Sequence, residues 1–299
     1  MSMRCARSIA IVGLAVAPVW GATRPAPTAC GNSAALSWEP LAPQQGALFL
    51  VRVSGVARGA RLEGEVAGQP LHFRASGDSS LVEAFAAAPI DGNRSLGILV
   101  RCVSSDRTDT LTARLEAARA SYPVDKLKVA PEFGRKPDSA TAVRIERESA
   151  RALAVAKGAH STPLLWSESF VLPRESRITS GYGRAREFNG ELTSRHMGTD
   201  FAGAVGAPVR AVNRGVVRIV DSFYYGGNVV YLDHGAGLTS AYLHLSKQSV
   251  AAGDTVEREQ LIGEVGASGR VTGPHLHFIL RYGDITVDPM SLYALAGKR

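Results

Sequence analysis

The sequence predicts a mainly β protein with an N-terminal β-sandwich, a connecting helix and a second β-rich domain at the C-terminus. Short apolar runs over residues 36–129 are separated by Gly, Asp, Asn and Ser at roughly ten-residue spacing, which is typical of a small sandwich. Residues 138–158 have the periodicity of a helix instead. From about Trp166 onward, strand-like runs and glycine turns resume without a convincing helix.

The first residues predict a secretory signal peptide. Arg4 and Arg7 precede an apolar run that is too short to span a membrane comfortably, and Gly21 and Ala22 then offer a cleavage site. An uncleaved anchor is the alternative, and the short run and Pro18 argue against it. We therefore expect no stable membrane anchor after signal cleavage.

Two cysteines remain once the signal peptide and Cys5 are removed, namely Cys30 and Cys102. In an oxidising compartment two remaining cysteines usually pair. Because both flank or lie in strands of the predicted sandwich, we expect a Cys30–Cys102 disulfide, with two separate buried thiols as the alternative.

The charge of the chain argues against one class of partner. The net charge is +7, and loss of the two signal-peptide arginines leaves 7 − 2 = +5. A mildly basic exported protein is attracted to anionic surfaces. Its arginines are scattered, without a basic stripe or interleaved aromatic residues, so nucleic acid is not expected as a partner.

The connecting segment carries the signals of a helix. Asp138 or Ser139 can cap its start and Gly158 can end it. An apolar stripe at helical spacing is predicted to pack, opposite a basic face; the stripe is Ala142, Ile145, Ser149, Leu153 and Ala156, and the basic residues are Arg144, Arg147 and Arg151. The expected divisions are a signal peptide at 1–21, a β-sandwich at 22–130, a linker with the helix at 131–165 and the C-terminal domain at 166–299.

Five of the seven histidines fall between His196 and His277. In "GPHLHF", His275 and His277 share one face of a predicted strand, because alternate residues of a strand point the same way. "RHMGTDF" places His196 ahead of Asp200 where a loop enters a strand, and His244 ends the strand-like run "LTSAYLHL".

Two imidazoles, one carboxylate and one open position make a catalytic zinc site. His196, Asp200 and one histidine of the His275/His277 pair can supply this set, and the remaining histidines suit proton transfer and oxyanion stabilisation. Spacing alone does not decide which member of the pair binds metal. Non-haem iron sites use the same ligand types, but they usually open with His-x-Asp or His-x-Glu, and this chain has His-x-x-x-Asp.

Six segments in order resemble the lysostaphin-type (LytM-type) zinc endopeptidases of metallopeptidase family 23, which cut peptidoglycan cross-links. They are "RHMGTDF", "AVNRGVV", "GNVVYLDHGAGLTSAYLHLS", "AAGDTV", "LIGEVGASGRVTGPHLHF" and "VDPMSLY". The resemblance covers about residues 166–293, and the β-rich N-terminal domain more loosely resembles the longer Gram-negative members. It implies an antiparallel β-sheet catalytic domain of this type, one Zn²⁺ per chain and peptidoglycan as the partner.

The resemblance also implies the roles of the site residues. His196, Asp200 and His277 correspond to the metal ligands, and His244 and His275 to the catalytic imidazoles, without deciding which is the general base. All five positions are intact, which favours an enzyme over a non-catalytic LytM-like activator of a cell-wall amidase. A zinc carboxypeptidase or amidase acting on the same polymer is a further alternative.

Other residues carry weaker signals. Tyr224, Tyr225 and Asn228 are expected to line a substrate groove, although an ordinary hairpin turn explains them about as well. His234 is expected to be structural. Glu259 stands where the family usually has Gly, which puts the geometry of one turn in question.

The expected function is hydrolysis of peptidoglycan cross-links by a periplasmic or secreted enzyme. His72 and His160 are expected to be surface or half-buried residues without a catalytic role. The N-terminal domain either docks beside the groove and restricts access to it or is a spacer. The sequence does not indicate the oligomeric state.

Overall fold

A computed structural model of the chain describes residues 29–31, 33–76, 81–105, 107–127, 137–188 and 191–296. The predicted signal peptide lies outside these residues. The mainly β fold class that the sequence predicts is confirmed. Among the described residues, no helix is both long and apolar enough to cross a membrane.

The secondary-structure elements follow one another along the chain with short connections. The N-terminal strands are β1 (Ala35–Glu39), β2 (Leu48–Ser54), β3 (Arg61–Val66), β4 (Gln69–Leu71), β5 (Arg74–Ala75), β6 (Leu81–Ala87), β7 (Ser95–Val103), β8 (Thr108–Glu116) and β9 (Val124–Leu127). Helix α1 (Ser139–Gly158) and a 3-10 turn (Ala159–Ser161) connect them to the C-terminal part. The C-terminal elements are β10 (Ile178–Ser180), β11 (Ala185–Phe188), β12 (Glu191–Arg195), β13 (Thr199–Ala202), β14 (Pro208–Arg210), β15 (Gly215–Phe223), β16 (Gly227–Gly235), β17 (Leu238–Gln248), β18 (Thr255–Val256), β19 (Leu261–Val265), β20 (His275–Tyr282), β21 (Ile285–Val287) and α2 (Pro289–Ala296).

The N-terminal strands form a β-sandwich. One antiparallel sheet has the order β1-β2-β6-β5 and the other β4-β3-β7-β8. Alternate residues of the strands face a common core, to which β2 contributes Phe49 and Val51 and β7 contributes Ile98 and Val100. Cys30 and Cys102, the pair that the sequence predicts, are joined by a disulfide across a separation of 72 residues.

Strand β2 is buried on both faces. Its other side chains, Leu48 and Leu50, point away from the sandwich core and pack in the core of the C-terminal domain with Trp166 and Phe170. The adjacent β6 adds Phe85 to the same contact. The sandwich therefore docks on the C-terminal domain through a shared apolar layer.

Polar contacts surround this apolar layer. The Ser291 hydroxyl accepts a hydrogen bond from the Leu48 amide at 2.9 Å. The Tyr282 hydroxyl donates to the Pro70 carbonyl at 2.6 Å, and the Gln69 amide donates to Asp284 at 2.8 Å. These bonds fix the relative position of the two domains, because each has a preferred direction as well as a preferred length.

The C-terminal domain is built on a large antiparallel sheet whose main path is β10-β13-β20-β17-β16-β15-β18. Leu276, Phe278 and Leu280 of β20 point to the core shared with the sandwich. Ile279 points to the opposite face, which is covered in part by Ala152 of helix α1. By the same alternation, the odd-numbered histidines of β20 lie on the face that carries α1.

Helix α1 begins as the sequence predicts, because the Asp138 carboxylate accepts a hydrogen bond from the Thr141 amide at 2.7 Å. The predicted packing stripe is wrong in part, since Ala142 and Ser149 are exposed and Glu148 is buried. The physical reason is a polar anchor on the packed side.

Two residues of α1 supply that anchor, and both hold the turn between β15 and β16. Glu148 receives a hydrogen bond from Arg144 at 2.6 Å and another from the Tyr224 amide at 2.8 Å. Arg144, expected on the opposite face, also donates to the Ser222 carbonyl at 2.8 Å. The helix is thus rotated so that a charged pair, and not the predicted stripe alone, faces the sheet.

Candidate active site

Strand pairing brings a carboxylate and an imidazole together. In the β13–β20 ladder, Asp200 lies directly opposite His277. Residues opposite one another in antiparallel strands point to the same face with their Cβ atoms about 5 Å apart. The Asp200 Oδ1 atom is 2.7 Å from His277 Nδ1.

His196 reaches the same point from the loop ahead of β13. Its Nδ1 atom is 2.7 Å from the Gly181 carbonyl, which can only accept, so Nδ1 carries the proton. The other nitrogen, Nε2, is therefore unprotonated in the neutral ring, and it lies 2.9 Å from both Asp200 Oδ1 and His277 Nδ1.

These three side chains fit a metal cation. The lone pair of His196 Nε2, a carboxylate oxygen and a second ring nitrogen converge within 4.8 Å, and all three residues are buried. Buried acceptors that face one another need a proton or a cation between them. Gly198 makes room, since a Cβ at that position would lie 2.7 Å from the His277 ring.

The electrostatics keep the carboxylate ionised. Burial by itself would raise the pKa of Asp200, but hydrogen bonds to His196 and His277, with their charges, hold that pKa well below its usual range. Burial lowers the pKa of His277 to about 4. Arg186 donates to the second carboxylate oxygen of Asp200 at 2.9 Å, which leaves Oδ1 for the cation.

A local change in the backbone places His244 at the same site. Its neighbour Leu243 pairs with His277 across β17 and β20, so simple alternation would turn His244 toward the core, as it does Tyr242. His244 instead has φ 63°, and the register between β16 and β17 shifts at this point. This bulge turns the ring out, with its centroid 5.0 Å from that of His275 and 5.9 Å from that of His277.

His244 and His275 present the same nitrogen to the site. His244 Nδ1 donates to the Ser268 carbonyl at 2.8 Å, and His275 Nδ1 donates to the Gly273 carbonyl at 2.8 Å. Each ring therefore has Nε2 left for proton transfer, and His275 Nε2 lies 3.7 Å from Asp200 Oδ1. Burial, followed by the charges of His277 and His275, lowers the pKa of His244 to about 3.

The comparison with family models assigns this arrangement. Residues 194–289, which contain the five side chains, match the model described as peptidase family M23. These residues form an M23 peptidase domain.

Curated relatives resemble the M23 domain over a limited length. The peptidoglycan DD-endopeptidase ShyB of Vibrio cholerae serotype O1 is 42% identical over 117 residues, or 38% of this chain. The DD-carboxypeptidase/endopeptidase Mpg of Neisseria meningitidis serogroup B is 38% identical over 117 residues, or 39% of this chain. Each alignment spans 27% of the length of the relative.

A solved structure resembles more of the chain than the M23 domain. The crystal structure of a putative peptidase M23 from Pseudomonas aeruginosa has a TM-score of 0.64 and 25% sequence identity. The match covers 84% of this chain and 94% of that chain. The architecture with the N-terminal β-rich part is therefore shared with that protein.

The predicted groove residues lie on the hairpin beside the M23 site, and each already has a contact. The Tyr224 and Tyr225 rings meet edge to face at 4.9 Å between centroids. Asn228 donates through its side chain to the Leu245 carbonyl at 3.0 Å and through its amide to Ser268 at 2.9 Å. Asn228 therefore ties together the two loops that flank the site, and its contact with substrate stays a prediction.

The remaining histidines of the M23 domain and its boundary are structural in their contacts. His234 is fully buried and lies 2.8 Å from the Arg214 carbonyl and 2.8 Å from the Ser240 hydroxyl. Glu259 has φ 67°, the left-handed conformation that favours glycine, so the departure at this turn affects its backbone.

Sequence reasoning missed the functional contact of Arg186. It is the residue that holds the second oxygen of Asp200, and no motif contains it. Its position on β11, just ahead of the first motif, is the sequence signal that could have found it. The bulge at His244 had a weaker signal, because histidine enters the left-handed region more readily than most residues.

Proposed function

We propose that the chain is a zinc-dependent endopeptidase that hydrolyses peptide cross-links of peptidoglycan. The observation that carries this proposal is the convergence of three metal-binding side chains with two further imidazoles at one end of β20. The relatives named as peptidoglycan endopeptidases support the substrate class. Their alignments cover part of their length, so the activity of the whole chain is our inference.

His196, Asp200 and His277 would hold the zinc ion, consistent with two imidazoles, one carboxylate and an open position. Zinc at such a site polarises the scissile carbonyl and the attacking water. Arg186 keeps the Asp200 carboxylate oriented and ionised, and the Gly181 carbonyl keeps the His196 ring turned toward the centre.

The protons are handled by His244 and His275. Each ring is oriented by a backbone carbonyl at Nδ1 and is neutral at Nε2, so each can accept a proton there and return it to the leaving amine. When protonated, either Nε2–H can also donate to the negative oxygen that develops in the transition state. The pair shares these tasks, and we do not divide them further.

The non-catalytic alternative is disfavoured. An activator of a separate amidase has no need of a complete site, and this chain keeps all five side chains in contact distance of one another. Carboxypeptidase activity is a second candidate, because the name of the Neisseria relative includes both activities. Product analysis separates the two.

We place the protein on the wall side of the cell membrane, either in the periplasm or secreted. The Cys30–Cys102 disulfide supports this location, because such bonds persist in oxidising compartments. The predicted signal peptide and the cell-wall substrate of the relatives agree with it.

The test is digestion of purified sacculi of defined cross-link chemistry, with products identified by mass spectrometry. An endopeptidase converts cross-linked muropeptide dimers to monomers without releasing free D-Ala. Release of D-Ala would show carboxypeptidase activity, and loss of the amide between sugar and peptide would show amidase activity. A zinc-loaded protein that leaves every sacculus intact contradicts the proposal, with the chelated protein as the blank.

A further inference from the structure

A cavity of about 580 Å³ opens beside the candidate metal centre. Asp200 and His275 line one part of it, so a substrate bound at the centre extends into this space. The cavity is also bordered by Val124 of β9, which pairs with Ala185 of β11 in a parallel ladder. It is large enough for a peptide side chain and its neighbours.

The cavity has an excess of positive charge. Among its described lining residues, five cations face two carboxylates; the cations are Lys126, Arg177, Arg184, Arg186 and Arg270, and the carboxylates are Asp125 and Asp200. Both carboxylates are already paired, Asp125 with Arg184 at 2.6 Å and Asp200 with Arg186 at 2.9 Å. The formal excess of 5 − 2 = 3 positive charges favours an anionic group in the cavity.

Arg270 is held in place before any substrate arrives. Its amide donates to the Tyr225 carbonyl at 2.9 Å, and its guanidinium carbon lies 4.0 Å from the centroid of the Tyr225 ring. Gly269 allows this contact between loops, since a Cβ there would lie 2.3 Å from the Gly227 amide nitrogen. A guanidinium fixed in this way loses less entropy when it binds a ligand.

Arg186 has donor capacity left beyond its bond to Asp200. Its Nε atom is buried and has no hydrogen-bond partner within the part of the chain that the structure describes. Burial and the nearby charge of Arg186 also lower the pKa of Arg270, so two cations lie close together in a partly dry place. A carboxylate between two guanidinium groups relieves their repulsion and accepts charge-assisted hydrogen bonds.

We propose that Arg270 and Arg186 form a subsite for a carboxylate of the substrate peptide, next to the scissile bond. The inference rests on the proposed function and narrows its substrate class to peptides that carry a carboxylate beside the cross-link. A bridge built of glycine alone lacks this group. Tyr225, predicted from the sequence to line a groove, then acts as the platform that positions Arg270.

The test compares three short synthetic cross-linked peptides on the zinc-loaded full chain. One has a free side-chain carboxylate and a free C-terminus, and in each of the others one of these groups is a carboxamide. Amidation of the recognised carboxylate should lower kcat/KM about ten- to hundredfold, the range for hydrogen bonds to charged groups. The amide that causes the loss identifies the source of the carboxylate.

Variants separate this subsite from general effects on the enzyme. In Arg270→Gln, the ratio of kcat/KM between the carboxylate and carboxamide peptides should fall close to one, and Arg270→Lys should restore part of it. Arg210→Gln is the matched control, because Arg210 lies in another cavity against Glu259 and should leave the ratio unchanged.

Two results overturn the inference: equal kcat/KM for all three peptides in the unmodified chain, or an unchanged ratio in Arg270→Gln. Failure to cleave any peptide would instead count against the proposed function. Calorimetric binding of the same peptides then decides the subsite by itself. A preference for the carboxylate peptide that Arg270→Gln abolishes supports the subsite, and equal Kd values contradict it.

Discussion

Two pairs of histidines in this molecule have nearly the same geometry and different surroundings. In the M23 site, His196 Nε2 lies 2.9 Å from His277 Nδ1, and at the domain interface His72 Nε2 lies 2.9 Å from His160 Nδ1. The third group differs. Asp200 completes the first pair with a carboxylate, whereas an amide oxygen of Gln69 lies 3.2 Å from His160 Nε2 in the second.

The difference shows that two close imidazoles are not sufficient for a metal site. At the interface, burial and then the charge of His72 lower the pKa of His160 to about 4, so the pair is neutral near pH 7 and is satisfied by sharing one proton. In the M23 site, the Asp200 carboxylate adds a negative charge that one proton between two rings does not neutralise.

The first prediction removes this difference. Asp200→Asn gives the M23 site the donor types of the interface pair, two imidazoles and an amide. We expect zinc to be lost and hydrolysis to fall about a thousandfold or more, since Lewis-acid polarisation contributes several kcal/mol. Zinc content by mass spectrometry and muropeptide release measure the two effects. His196→Ala and His277→Ala should behave alike, and full zinc content in the Asp200 variant would sink the ligand assignment.

The second prediction concerns the two imidazoles that the interface lacks. His244→Ala and His275→Ala should keep zinc and lose about a hundredfold or more in hydrolysis, because proton transfer or oxyanion stabilisation is removed. Zinc content and kcat are measured on the same preparations. Loss of zinc in His275→Ala, with zinc retained in His277→Ala, would exchange the roles of these two residues.

The sequence predicts the site well where regular strands decide it. Alternation in "HLHF" puts His275 and His277 on one face, and the ladder supplies Asp200 opposite the second. The ligand choice within the pair needed the family resemblance, because alternation treats both alike. The turn of His244 and the contact of Arg186 depend on a bulge and on tertiary packing, which local patterns do not encode.

The fold is predicted in a similar way. The sandwich and helix α1 follow from strand spacing and from the cap at Asp138. The packed side of α1 was missed because Glu148 is buried by its bonds to Arg144 and the turn of β15–β16, a tertiary effect. The docking of the sandwich had a signal in "LFLV" of β2, a continuous apolar run of the kind expected when both faces are covered.

The third prediction, with the smallest effect, tests the interface pair by pH. The folded pKa of His160 lies near 4 and that of His72 below its ordinary 6.5, so the folded protein binds fewer protons than the unfolded chain. Their contribution to stability is complete above pH 6.5 and is lost as the pH falls toward 4. Because both rings are partly exposed, the loss is roughly 1 kcal/mol.

The measurement is urea unfolding of the full chain between pH 7.5 and about 4.5, compared with a His72→Gln/His160→Gln variant that cannot titrate there. The other groups facing the pair are Asp284, paired with Lys157 at 3.6 Å, and the Tyr282 ring. Asp284 opposes the shift by favouring protonated His160. Parallel stability curves for the two proteins would show that the pair does not carry the pH dependence.

Strand β2 restricts how this chain can be divided or recombined. A fragment that starts near Trp166 would expose the apolar surface that Leu48, Leu50 and Phe85 now cover, and exposed patches of this kind promote aggregation. An engineer who transplants the M23 domain must therefore carry the β2–β6 sheet with it or rebuild that surface with polar residues. The same constraint applies over evolutionary time, because a bulkier side chain at Leu50 requires a smaller one in the opposite domain.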